Sequence, residues 1–389
     1  MTYDVVLAEA RVVTPQGTID RGWVGISGGL IAAVEPGDAP SGSGEVRSLD
    51  GAWLGPGFID VHVHGSVGID VMDTDEAGLR ELSRFFATRG VTSYLVGTYT
   101  LEHERTLAAL ATIREVVGRV PGGASILGVY MEGPYLNPVR KGAHRESLLR
   151  PIDRGEVQQY LDTGVVRAVA FAPELPDAPW LTAELTKAGV SPVAGHTDAA
   201  FAQMRSAQEA GVVSVTHVFN GMRGLHHREP GAAGAALLLD DLVCEVISDG
   251  THVAPQLMKL FWRMKGAHKI ALITDAGPFG GRADGVYQVF DRQVTIADGV
   301  GRLDDGTISS SAKTFDYDFA LFCRFTGASF DEAWPAASEV PARIAGVADR
   351  KGTIEIGKDA DLVVLAESGT VLGTVVCGEW IDTEGAIVG

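Results

Sequence analysis

Eight times between residues 58 and 274 a short apolar run gives way to an amphipathic stretch, and that alternation constrains the fold more than any other feature. The runs span 58–64, 92–98, 126–132, 166–173, 192–196, 213–218, 244–248 and 270–274. Near-continuous apolar runs of this length suit strands buried on both faces of a parallel sheet. The stretches between them, at 76–89, 101–117, 180–188, 199–210 and 255–265, have helical periodicity. Strand-then-helix repetition is the sign of parallel βα units, and eight units predict an α/β chain folded as a (β/α)8 TIM-like barrel. The segment 331–344 reads as a closing helix, and 280–307, rich in Gly and Asp, as hairpins and loop. Residues 1–55 read as short strands and turns, and 352–365 and 373–382 have the same texture. Both termini are therefore expected to meet in one small β-sandwich domain (1–55 and 348–389) flanking the barrel (56–347).

Charge narrows the partners. Fifty acidic residues against 32 basic ones leave a net charge of −18 with no basic run, which argues against nucleic acid or an anionic membrane. A small anionic substrate remains compatible, because local positive charge in a site overrides the global field. Cys244, Cys323 and Cys377 show no CxxC spacing and read as reduced, buried side chains. The N-terminal stretch lacks a signal-peptide apolar core, and no segment has the length of a membrane span, so the expected location is cytoplasmic.

His62 and His64, in PGFIDVHVHG, are two apart on a strand, so both imidazoles project to one side. Taken alone, an HxH pair is equally well a pair of hydrogen-bonded core histidines. The other run ends decide between the readings. Glu132 ends run three, His196 run five, His217 run six, and Asp275 follows run eight. All six residues fall at the carboxyl ends of expected barrel strands, the face on which barrel active sites are built. Four imidazoles and two carboxylates suit zinc, iron or another transition metal, one ion or two bridged by a carboxylate. Such a cation makes water a good nucleophile near neutral pH, and a carboxylate beside it can shuttle the proton to a leaving nitrogen. Asp275 is the candidate for that role.

The motifs PGFIDVHVHG, MEGPYLNP with KGAH following, AGHTDA, THVFNGM, REPG, SDGTHV and TDA, in that order, resemble the N-acetylglucosamine-6-phosphate deacetylases of the amidohydrolase superfamily. The resemblance runs from Pro56 to about Gly277 and resumes at 352–365. It implies a metal-dependent hydrolase that removes the acetyl group from a phosphorylated amino sugar, working as a homodimer. Carried over by position, it implies that Glu132, His196 and His217 bind the main metal and that His62 and His64 hold a second. It further implies Asp275 as general acid/base and His144 as the residue that polarises the acetamide carbonyl or holds the sugar. Asn220, the Gly221 backbone and the Arg228 guanidinium would hold the phosphate. His252 is implied to reach that phosphate from the neighbouring subunit.

One segment departs from the family pattern: Ile308–Ser311 reads ISSS where the family has leucine-alanine-glycine-serine. That departure touches the sugar and acyl pocket and leaves open another N-acyl amino-sugar phosphate, such as the galactosamine epimer, or another amide. Cyclic-amide hydrolases and aminoacylases often bridge their metals with a modified lysine from strand four; here that run ends in FAPE, without one. A non-catalytic binding protein would have no use for the aligned proton shuttle. His226 and His227 read as solvated loop residues, His103 as surface and His268 as structural.

Overall fold

The computed structural model describes residues 2–41, 44–289 and 292–383. Residues 1, 42–43 and 384–389 of the expected small domain, and 290–291 of the expected insert, lie outside the described residues. All eight expected strands form, in sequence order, one parallel sheet. Strands one to eight of the barrel are Phe58–Val63, Val91–Thr98, Ser125–Glu132, Val166–Phe171, Ser191–Ala194, Ser214–Val215, Val243–Ile247 and Ile270–Ile273. Strands one to three are buried at every position, as their unbroken apolar runs require. The ring closes between strands eight and one: the Asp275 N–H donates to His62 O at 2.9 Å, and the His64 N–H to Ala276 O at 2.7 Å. One seam bond joins two residues of the ligand set, Asp275 and His62, and the other joins His64 to the residue after Asp275, so the seam holds three of the six in place.

Strands from both termini join a single eight-stranded sheet. Trp53–Pro56 pairs antiparallel with Leu362–Leu365 and parallel with the end of Val5–Thr14. Leu7, Val12, Val24, Leu54, Leu362 and Val375 share its core. Of the expected 352–365 strand only Leu362–Leu365 forms. The preceding residues turn instead, with Gly352 and Gly357 at positive φ, and buried Lys351 draws the carboxylates of Asp359 (2.9 Å) and Asp361 onto itself.

The expected closing helix is broken. Phe330–Ala337 and Glu339–Ile344 are separate helices with Ser338 between them at φ −142°. Pro341 falls in the first turn of the second helix, where an N–H would have no carbonyl of that helix to meet, so a helix start suits it. A further helix, Phe315–Thr326, precedes them, and the insert forms a four-stranded antiparallel sheet from Gly285 to Ser311 that leans over the barrel mouth.

Candidate active site

The sequence-predicted ligands converge at the carboxyl ends of the strands. His62 lies within strand one, Glu132 is the last residue of strand three, and His64, His196, His217 and Asp275 lie one or two residues past their strands. Two groups of donor atoms gather within metal-binding reach, His62–His64–Glu132 and Glu132–His196–His217, with Glu132 common to both. Glu132 Oε1 is 2.9 Å from His196 Nε2 and 2.8 Å from His217 Nε2; its Oε2 is 3.5 Å from His64 Nε2. Asp275 Oδ1 stands 3.2 Å from His64 Nε2 and 3.8 Å from His62 Nε2.

The outward nitrogens of the four imidazoles are all engaged. Nδ1 of His64 meets Gly97 O at 2.8 Å, that of His196 meets Arg140 O at 2.7 Å, and that of His217 meets Asn220 O at 3.2 Å. A carbonyl only accepts, so each of these three Nδ1 atoms carries a proton, and Nε2 is the nitrogen left to offer a lone pair to a cation. His62 Nδ1 pairs with Thr216 Oγ1 at 3.0 Å, and its ring stacks on Tyr130 at 4.3 Å. An outer partner that fixes tautomer and ring angle is what metal-ligating histidines have. His144 is wired the other way: its Nδ1 accepts the Thr100 N–H at 3.4 Å, so its protonated Nε2 points at Glu132 Oε2, 3.3 Å away. It is a hydrogen-bond donor into the site.

Burial disfavours charge on His64 and His217, yet their carboxylate neighbours outweigh it and push both up to about 9. His196 is moved down, by burial. Burial also works to raise Asp275, but His62 and His64 prevail and hold it at about 2; His144 and His196 likewise hold Glu132 well below the usual carboxylate range. His196, His217 and Asp275 all have positive φ (44°, 26° and 49°), the backbone strain that clusters at functional sites. Glycine is required beside them. A Cβ on Gly221 would stand 2.8 Å from His196 Nδ1, and one on Gly142 3.1 Å from its Cε1.

A cavity of about 620 Å³ opens over the cluster, lined among others by His144, Asn220, Gly221, His252, Phe279 and Ile308. His252 lines the pocket of its own chain, where its Nδ1 and backbone N–H are both held by buried Asp249, at 2.7 and 2.9 Å. Arg228, by contrast, is not brought to its own chain's pocket: it is exposed on the turn His226–Glu229, seven residues beyond Gly221. His103 is half-buried rather than on the surface, with Nδ1 2.9 Å from Tyr160 Oη, and His268 pairs with Glu339 at 3.2 Å.

Sequence reading misses the support beneath the cluster. Glu245, fully buried in strand seven, accepts Tyr130 Oη–H at 2.9 Å and Ser214 Oγ–H at 2.6 Å and stands 4.0 Å from His62 Nδ1. A carboxylate inside the apolar run VCEVI was the available signal.

A parallel eight-stranded barrel with a histidine–carboxylate cluster on its carboxyl face defines a metal-dependent hydrolase, and residues 53–381 match the Amidohydrolase family; the chain belongs to that family. Among curated relatives, it is 34% identical over 385 residues to the N-acetylglucosamine-6-phosphate deacetylase of Bacillus subtilis (strain 168), covering 97% of both chains. It is 38% identical over 362 residues to the N-acetylgalactosamine-6-phosphate deacetylase of Escherichia coli O157:H7, covering 92% of this chain and 94% of that one. Among solved structures, it superimposes with a TM-score of 0.90 and 32% identity on a mutant N-acetyl-D-glucosamine-6-phosphate deacetylase from Mycobacterium smegmatis in complex with N-acetyl-D-glucosamine-6-phosphate. That match covers 98% of this chain and 100% of the other.

Proposed function

We propose that this chain hydrolyses the N-acetyl amide of N-acetylglucosamine 6-phosphate, giving glucosamine 6-phosphate and acetate. The observation that carries the reading is the opposed wiring of the histidines. Four imidazoles face their Nε2 atoms to a shared carboxylate, while His144 presents an N–H to the same space. That donor set fits one divalent cation at Glu132, His196 and His217 and a second at His62, His64 and Glu132; zinc matches the nitrogen and oxygen ligands, as iron also would. When bound, the cation supplies Lewis acidity toward the amide carbonyl and acidifies water.

The chain's own groups do the rest. The Asp275 carboxylate, ionised because His62 and His64 hold it low, takes the proton of the attacking water and returns it to the amine nitrogen as the C–N bond breaks. His144 Nε2–H donates to the carbonyl oxygen as charge builds there. Asn220 and the Gly221 N–H, at the strand-six exit, take the phosphate, and His252 holds the sugar from the strand-seven exit. The chain acts as a homodimer in which exposed Arg228 meets the phosphate in the neighbouring copy's pocket. A sugar phosphate is retained inside cells by its charge, which supports a cytoplasmic site of action. The 38% identical relative supports a second reading, in which the galactosamine epimer is the better substrate.

The test is acetate release by cation-reconstituted protein on N-acetylglucosamine 6-phosphate, its unphosphorylated form and the galactosamine epimer. Fast turnover of a phosphorylated sugar alone is expected, and the preferred epimer selects between the readings. Silence on all three with metal bound would remove the deacetylase assignment. Asp275→Asn should keep its metal, read by elemental analysis, and lose roughly 100- to 10,000-fold in kcat; an active variant would take Asp275 out of the proton path.

A further inference from the structure

We infer that the pocket wall at the strand-two exit is an acyl-chain subsite that accepts N-acyl groups longer than acetyl, up to butyryl. The inference rests on the deacylase reading above. Strands two and six stand opposite each other in an eight-stranded ring, and one cavity spans both exits, from Asn220 and Gly221 to Tyr99, Thr100 and Leu101. A substrate with its phosphate at strand six and its amide carbon beside Asp275 must direct its acyl chain away from the sugar. That direction ends at Tyr99, Leu101 and Leu148.

Tyr99, Leu101 and Leu148 present carbon here, beside the hydroxyl of Thr100. The Tyr99 hydroxyl is occupied by Asp70, 3.0 Å from both carboxylate oxygens, so the ring is what Tyr99 offers the pocket. The ring lies edge-on to His64 at 5.9 Å, so apolar surface begins at the ligand cluster itself. Leu101 and Leu148 belong to different loops, after strands two and three, and one guanidinium ties them together. Arg150 Nη1 donates to the carbonyls of both, each at 3.1 Å, while its Nε pairs with Glu156 at 2.8 and 3.0 Å. The two leucines are thus set before substrate arrives. Pockets of about 300–1,000 Å³ hold ligands of drug size, and this one, at about 620 Å³, lies within that range. Glu102 and Arg105 stand at the outer rim, where a longer apolar chain would meet charge.

The test compares kcat/KM on N-acetyl-, N-propionyl- and N-butyrylglucosamine 6-phosphate. A pocket that excludes a methylene discriminates by roughly 10- to 200-fold; the expectation here is a total loss of no more than about 10-fold from acetyl to butyryl. Leu148→Trp, which fills the space, should lower the butyryl-to-acetyl ratio by about 10-fold or more, and Leu148→Ala should hold or raise it. A fall of about 100-fold for each added methylene, or an unchanged ratio in Leu148→Trp, overturns the subsite while the deacetylase reading stands. Absence of turnover on the acetyl substrate itself overturns both.

Discussion

A neutral imidazole has two nitrogens and one proton, so the partner on one side dictates what the other side can do. His64, His196 and His217 commit an Nδ1 proton to main-chain carbonyls, so Nε2 is the nitrogen a cation can take, whereas His144 accepts a main-chain N–H and presents a proton. A second residue obeys the same economy of partners with the opposite result. Asp318 is 1% exposed, neither carboxylate oxygen has a hydrogen-bond partner, and burial, with Asp249, Asp60 and Asp316 around it and Lys313 opposing, pushes its carboxyl well above the usual range. The folded chain therefore holds this proton more tightly than the unfolded chain does. Its stability contribution is full below about pH 3.9 and is lost as pH rises through the folded value. Asp318→Asn removes that linkage, so its Tm should exceed the parent's at pH 8 and match it near pH 4. A constant difference across that range would show that Asp318 is not protonated in the fold. At this scale residue types are legible in sequence. His62, His64, Glu132, His196, His217 and Asp275 all read out because imidazole and carboxylate sit where apolar runs end. The Gly97, Arg140 and Asn220 carbonyls do not, because every residue has one.

Elements are legible where one physical requirement rules the whole segment. The barrel strands are buried on both sides, so an apolar run marks each one, and all eight form. Helix Gly231–Leu238 is almost wholly buried and reads GAAGAALL, so it shows no polar face by which to be recognised. The break at Ser338 puts Pro341 in the first turn of a new helix, a detail that the apolar periodicity of 331–344 conceals. How the small sheet meets the barrel is likewise invisible in sequence. Trp334 fills the junction, its Nε1 donating to Pro56 O at 2.8 Å, and a Cβ on Gly55 would stand 2.0 Å from the indole Cε2. Gly55→Ala should accordingly lower stability by about 1–3 kcal/mol, the cost of overpacking. Equilibrium denaturation would read it. An unchanged midpoint would mean that the indole can slide on the strand.

At the scale of the whole molecule, the turn carrying Arg228 is exposed and lies outside the pocket that carries Asp275. If Arg228 serves the neighbouring pocket, Arg228→Ala and Asp275→Asn should each be impaired alone. Dissociated and reassembled together, they should regain roughly a quarter of wild-type activity, because half the dimers of a random mixture then hold one intact site. No recovery on mixing would place Arg228 outside the neighbour's chemistry. The pairing of Trp53–Pro56 with Leu362–Leu365 also has a consequence in time. A ribosome adding roughly 5–20 residues per second finishes the second strand tens of seconds after the first. Residues 62 to 275, the whole ligand set, leave the ribosome within that interval. The nascent chain can therefore gather its cation while the Trp53–Pro56 edge is still bare. A product cut short before Leu362 keeps the ligands yet carries an open strand edge, a template for pairing with another copy of itself.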